Sequence, residues 1–370
     1  MFSGPPATHY RNTYLAPMVV DYIVVGQGIS GTFLSYYLRK AQKSVLVLDK
    51  PLANTASRIA SGVVNPVTGR RIVKTWMIDE LLPFARKAYR EMGCFLDAEI
   101  VDDCAILEFH PTLQMQAAFD IRLSESAEYL SEIQEEHNWK HLFNYHFGIG
   151  KVAPALHLDL QTLLVRYRSF LQKENLLLEA SFEEKFLRIS KEGIQYQDVQ
   201  ASKIFFCDGV AGLLHPYFDK LPFAFNKGEA VIAEIPGLPS QYIYKQCLSL
   251  VPWNKEKQLF WIGSTYTWNY GNLLPTKEFA EKVRFQLDNW LKIPYRLLDH
   301  FAAERPANVE RRPFAGLHPQ CPNIGILNGM GTKGCSLAPY FARQFVDNLV
   351  KGTPIDPLAD VARFARVLAR

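Results

Sequence analysis

The hexapeptide GQGISG carries the first chemistry in the chain, with Gly26, Gly28 and Gly31 in the G-x-G-x-x-G spacing. Each glycine has its own task. Gly26 permits a tight turn, Gly28 lets the backbone approach a pyrophosphate, and Gly31 lets a helix pack closely on a strand. The helix starting there offers a dinucleotide its unpaired N–H groups and positive dipole end. Asp49, 18 residues beyond Gly31, stands where an acid accepts hydrogen bonds from a ribose diol. A carboxylate there argues against a 2′-phosphate and leaves NAD and FAD both open.

The flanking residues supply the frame that such a motif needs. Residues 18–25 (MVVDYIVV) are apolar and β-branched, as a strand buried on both faces should be. A helical stripe of Phe33, Leu34, Tyr37, Leu38 and Ala41 follows, and SVLVL (44–48) reads as a second strand closed by Asp49. Other turns of this kind lie far away in sequence. TASRIASGVVNPVTGRR (55–71) is a small-residue loop holding Ser57, Ser61, Gly62 and Asn65, and IFFCDGVAG (204–212) reads as a strand entering a glycine turn. IGIL (324–327) leads into NGMGTKGCSLAP (328–339) and then a helix with Phe341, Phe345 and Leu349 on one stripe. Nucleotide-type turns therefore occur at both ends of the chain, whereas an NAD dehydrogenase usually completes its cofactor domain in one stretch.

Between them, residues 225–270 alternate short apolar runs (AVIAEI, YIYKQCLSLV, LFWIGSTYTW) with turn residues, which predicts antiparallel hairpins. That reading puts Tyr242, Tyr244, Tyr266 and Trp268 on strands. Charges spread around Leu130, Ile133, Trp139 and Leu142 predict a covering helix over 124–143.

The composition narrows the function further. With 48% apolar and 21% charged residues, the 370-residue chain is neither disordered nor fibrous, and its length suggests roughly two domains. Net charge is +4 without any Lys/Arg run, so no nucleic-acid partner is expected. The six cysteines form no C-x-x-C and read as free thiols of a reducing, cytoplasmic setting. His137 and His141 lack the H-E-x-x-H order, so no metal is expected. No run reaches the roughly 18 apolar residues of a membrane span. Residues 1–17 lack a signal peptide's apolar segment and are expected to be a disordered extension or an upstream mis-start. The amphipathic tail DPLADVARFARVLAR is expected to dock on its own core.

Taken together, the GQGISG turn with Asp49, the ASGVVNP loop, the CDGVAG turn, and ERPANVERRPFAG (304–316) followed by GMGTKGCSLAP resemble the FAD-dependent D-amino-acid oxidase superfamily. Within it the likeness is to glycine oxidase and sarcosine oxidase. ASGVVNP is also similar to the flavin domain of the bifunctional tRNA wobble-uridine modification enzyme. The likeness runs over roughly residues 18–352. It implies an α/β chain (α+β overall) with a discontinuous Rossmann-like FAD-binding lobe at 18–90, 151–220 and 300–352. A substrate lobe on a mostly antiparallel sheet would take 91–150 and 221–299, with 1–17 and 353–370 as terminal extensions.

By motif position, the resemblance places Gly26, Gly28 and Gly31 at the pyrophosphate and Asp49 at the adenosine ribose. It places Ser57, Ser61 and Gly62 along the flavin's path, and Gly329, Gly331, Thr332, Lys333 and Gly334 at the flavin ring. Arg305 matches the arginine that binds a substrate carboxylate, so Arg305 and Lys333 are the expected catalytic pair. Glu310-Arg311-Arg312 stands where the family usually carries Asp-Gly. No cysteine neighbours Arg305 in sequence, so FAD is expected to be non-covalent. The implied activity is oxidation of the amine of an amino acid such as glycine, sarcosine or a D-amino acid. Hydride transfer to flavin N5 would leave an imine that water hydrolyses, and oxygen or another acceptor would reoxidise the flavin. An NAD-dependent dehydrogenase, a flavin-binding protein without turnover, and a tRNA-modification-related oxidoreductase are the alternatives. The first is separable by a yellow colour, the others by reduction of the flavin with an amine.

Overall fold

The computed structural model describes residues 18–369, apart from 127, 134 and 135. The 1–17 extension lies outside the described residues. Two sheets organise the rest.

In the first sheet five strands run parallel, in the order Cys321–Asn328, Val199–Phe206, Met18–Val25, Val45–Leu48 and Leu177–Leu178. All four residues of Val45–Leu48 are buried, which is why the sequence there is continuously apolar rather than alternating. Helices Ile29–Lys40 and Gly334–Lys351 pack against one another over this sheet. Val25 ends between Leu48 on one side and Phe206 on the other. The first strand is thus where strand order reverses, and a crevice opens at its carboxyl end.

The second sheet is mostly antiparallel. Its main path runs Arg296–Arg305, Asn226–Glu234, Leu259–Gly263, Ser249–Asn254, Tyr242–Lys245, Val101–Phe109, Ile149–Leu158 and Val63–Val64. Only Tyr242–Lys245 and Val101–Phe109 pair in parallel. The lobe limits expected at 150/151 and 299/300 fall inside strands of this sheet, Ile149–Leu158 and Arg296–Arg305.

Two local expectations are corrected. Residues 124–143 do not form a covering helix. The helix lies upstream, at Leu113–Glu125, where Thr112 Oγ1 accepts the Met115 N–H at 3.3 Å. Leu130–Glu132 instead pairs with Ile149–Leu158, because an open strand edge outweighs the weak helical pattern. Tyr266 and Trp268 lie beyond the strand Leu259–Gly263. Tyr242 and Tyr244 are on a strand but turn away from the crevice to pack on Trp139, while Ile243 and Lys245 face it. The period of two decides this. At the carboxyl end Val361 and Leu368 are buried, and Phe364 sets its ring edge-on to Phe314 at 5.6 Å, so the tail docks on its own core.

Candidate active site

The first glycine turn is built under tight steric limits. Gly26 has φ +96°, and a Cβ there would stand 2.7 Å from the Cys207 carbonyl oxygen. A Cβ on Gly31 would come 1.8 Å from the Gly26 carbonyl oxygen, so only glycine lets the helix begin so close to its strand. Ser57 Oγ accepts the Ile29 N–H at 3.1 Å, tying the ASGVVNP loop to the start of that helix. Asp49 is oriented from two sides. Its Oδ1 accepts the Gln27 N–H at 2.8 Å, and its Oδ2 pairs with Arg168 at 2.6 Å.

The second turn meets the first. A Cβ on Gly334 would touch Ile29 Cγ2 at 3.4 Å, so the helices Ile29–Lys40 and Gly334–Lys351 begin side by side although 305 residues separate their starts. Gly329 and Gly331 have φ of +75° and +55°. Lys333 projects into the space ahead of both helices and donates to Thr75 Oγ1 at 3.1 Å. Thr75 Oγ1 in turn donates to the Asn65 carbonyl at 3.2 Å. Burial, with Arg311 and Arg312 nearby, lowers the Lys333 ammonium to a pKa of about 8.

One cavity of about 970 Å³ joins these parts. Its lining includes Gly26, Gly28, Asp49, Ser57 and Ser61 at one side, Gly331, Thr332, Lys333 and Gly334 at another, and Arg305 on the second sheet. Gly31, Gly62 and Gly329 do not line it. They act beneath it, where a side chain would strike backbone or packed atoms. At Gly62 a Cβ would meet the Leu158 carbonyl oxygen at 2.0 Å. Asp208, in the CDGVAG turn, also lines the cavity and pairs with His215 at 2.5 Å. Among the described residues its other oxygen is buried without a partner, an acceptor available to a ligand hydroxyl. A long cavity with an oriented acid, two adjacent helix starts and an orphan acceptor fits a dinucleotide such as FAD.

Arg305 sits apart from any acid. Nη1 donates to Asn226 Oδ1 at 2.8 Å and to the Thr265 carbonyl at 3.0 Å, and the Tyr266 ring lies 4.8 Å from the guanidinium carbon. The acids close in sequence are engaged elsewhere, Glu304 with the Tyr270 hydroxyl and Glu310 with Arg363. Burial lowers the Arg305 pKa, and among the described residues it has no ion pair. A half-satisfied, half-buried cation lining a cavity is a receptor for an anion.

A family model of FAD dependent oxidoreductases, the DAO family, matches residues 21–348. The chain belongs to that family. This settles the choice that the first glycine motif left open, in favour of FAD over NAD. Solved structures repeat the fold at low identity. Glycine oxidase from Geobacillus kaustophilus superposes with a TM-score of 0.76 at 15% identity, covering 94% of this chain and 98% of that one. L-proline dehydrogenase from P. horikoshii gives 0.75 at 16%, covering 95% and 99%. Iminodiacetate oxidase from Chelativorans sp. BNC1 gives 0.69 at 16%, covering 90% and 96%.

Sequence reasoning about this oxidoreductase missed Arg168, Asn226, Gly228 and Thr75. Arg168, Asn226 and Thr75 carry no local signal, since each acts on a residue remote in sequence. Gly228 alone was findable, as a glycine interrupting a strand pattern.

Proposed function

We propose that this flavoenzyme oxidises the amine of an amino acid. The α-carbon gives up a hydride and the nitrogen a proton, and the imine that results is hydrolysed by water to an oxo acid and ammonia or an amine. FAD, when bound, supplies the two-electron acceptor. The single observation that carries the reading is Arg305, a half-buried guanidinium without a counter-ion among the described residues, in the cavity shared by both glycine turns. Its Nε and Nη2 have no partner among the described residues, so a carboxylate can take two N–H donors and fix the α-carbon in place. The similar folds of enzymes named for glycine, iminodiacetate and proline support amino acids as the substrate class.

Gly26 and Gly28 would hold the pyrophosphate, Asp49 the adenosine ribose, and Ser57 and Ser61 the path to the ring. Gly331, Thr332, Lys333 and Gly334 would surround the ring, where N–H donors and the Lys333 cation favour negative charge. Gly31, Gly62 and Gly329 support these turns from below. Non-covalent attachment is supported by two of the three cavity thiols, Cys207 and Cys335, which are buried, whereas the third, Cys247, is exposed. Burial pushes Cys335 up to about 12 and Cys207 well above its ordinary value, leaving neither of these two as a ready nucleophile. The second sheet would form the substrate lobe, with the FAD lobe resuming near residues 159 and 306. Six free cysteines support a cytoplasmic setting.

The test is product analysis. Purified holoenzyme given a panel of amino acids should release oxo acid and ammonia in equal amounts from a primary amine, oxo acid and methylamine from sarcosine, and the cyclic imine from proline. Absence of all of these products across glycine, sarcosine, proline and the D- and L-amino acids would contradict the reading.

A further inference from the structure

Residues 264–276 form a strap that rims the cavity, with Ser264, Tyr266 and Leu273 among its lining. Both ends of the strap are pinned to the strand Asn226–Glu234. Lys227 exchanges backbone hydrogen bonds with Thr267 at 2.8 and 3.0 Å, and its buried ammonium donates to the Leu274 carbonyl. The buried Glu229 carboxylate accepts the Thr276 N–H at 2.7 Å and its hydroxyl at 3.0 Å. Between these staples the strap holds large apolar groups in water. Tyr266 is 60% exposed, Trp268 55% and Leu274 68%. Four such side chains within nine residues, counting Leu273, on a backbone held by buried charges mark a recognition surface whose ordering cost is already met.

The surface begins where the carboxylate site ends, because the Tyr266 ring lies against Arg305. On the roof beside Arg305 the cavity is lined by Ala230 and Ala303, whose small side chains leave room for a group much larger than hydrogen. The geometry points to an amino acid carrying a large apolar or aromatic group, rather than glycine or sarcosine, as the substrate of this site. Its carboxylate takes Arg305 and its apolar group lies along the strap at Tyr266 and Leu273, the two exposed apolar side chains of the strap that line the cavity. This rests on the amine-oxidation reading and adds the substrate class to it.

Two measurements on the holoenzyme test it. In turnover, D-phenylalanine, L-phenylalanine or N-benzylglycine should exceed glycine and sarcosine in kcat/KM by about tenfold or more, as burial of a ring predicts. The three probes separate a ring on the α-carbon of either hand from one on nitrogen. In calorimetry, 3-phenylpropionate should bind at least about tenfold tighter than propionate, from which it differs only by the ring. Tyr266→Ala and Leu273→Ser should each shrink that ratio, and Phe285→Ala, an exposed ring on the helix Lys277–Trp290, should not. Equal affinity for the two carboxylates, or a ratio untouched by both strap variants, overturns the inference. Turnover of glycine that matches phenylalanine does the same while leaving amine oxidation standing. Failure of every amino acid to react instead overturns amine oxidation, and the calorimetric ratio still decides the role of the strap.

Discussion

A Cβ atom on Gly228 would stand 2.0 Å from Nη2 of Arg305, so the glycine reserves the volume that the guanidinium fills. The two residues lie on neighbouring strands, where Arg305 is paired with Asn226, two positions before Gly228 and on the same face. The arginine supplies the charge, Asn226 and the Thr265 carbonyl hold one end of its fork, and the glycine admits it. What a methyl at 228 would displace is the mobile end of a side chain rather than backbone. The fold can absorb that change, whereas the anion site cannot.

Gly228→Ala should therefore behave as a binding mutant with an intact fold. The expected result is a KM for amino acids raised by about 10- to 100-fold, from the loss of a charge-assisted contact. The thermal midpoint should stay within a few degrees of wild type. Steady-state kinetics and calorimetric melting measure the two. A collapse in stability with unchanged KM would show that the glycine serves packing instead.

Arg305→Ala should retain FAD and raise KM by a similar factor of about 10- to 100-fold. Arg305→Lys should recover little of the loss, because an ammonium offers no parallel pair of donors to a carboxylate. A KM unchanged in Arg305→Ala would remove this residue from substrate binding.

Lys333 gives a prediction in pH. Its ammonium loses its proton near pH 8 in the folded protein, against an ordinary value of 10.5. Between those values the unfolded chain binds more protons, so stability rises with pH across that window. Lys333→Met should abolish this contribution. The apoprotein of the variant should be more stable than wild type at pH 7, by on the order of 2 kcal/mol, and the gain should vanish above about pH 10. Urea unfolding at both pH values checks it, and parallel pH profiles for the two proteins would contradict it.

Gly31→Ala is the opposite kind of change from Gly228→Ala. Its methyl would meet the Gly26 backbone carbonyl at 1.8 Å, and no side chain can swing aside. The expected cost is at least about 3 kcal/mol together with loss of bound FAD. A stable variant with wild-type flavin content would remove the close-packing role assigned to this glycine.

Both glycine turns were legible in the sequence because each is written in consecutive residues. GQGISG with its flanking strands and Asp49 is a local pattern, and so is NGMGTKGCSLAP with the apolar stripe behind it. The residues that complete the site were not legible, because they come from elsewhere. Arg168 reaches Asp49 from a helix 119 residues away, and Thr75 meets Lys333 across 258. The face taken by the aromatic strand residues was not legible for a related reason. Periodicity says that Tyr242 and Tyr244 share a side, but not which side faces the crevice, and the apolar cluster around Trp139 and Phe143 decided it. The misread helix at 124–143 shows the same limit, since a three-residue strand depends on its partner edge.

The central claim is that two glycine turns from opposite ends of the chain hold one flavin beneath Arg305, where an amino acid delivers its electrons. Anaerobic titration of purified holoenzyme with amino acids tests this most directly. The account predicts loss of the visible flavin absorption on mixing, with the half-saturating concentration raised about 10- to 100-fold in Arg305→Ala. A flavin that stays oxidised with every amino acid, or that bleaches at the same concentration without Arg305, would contradict it.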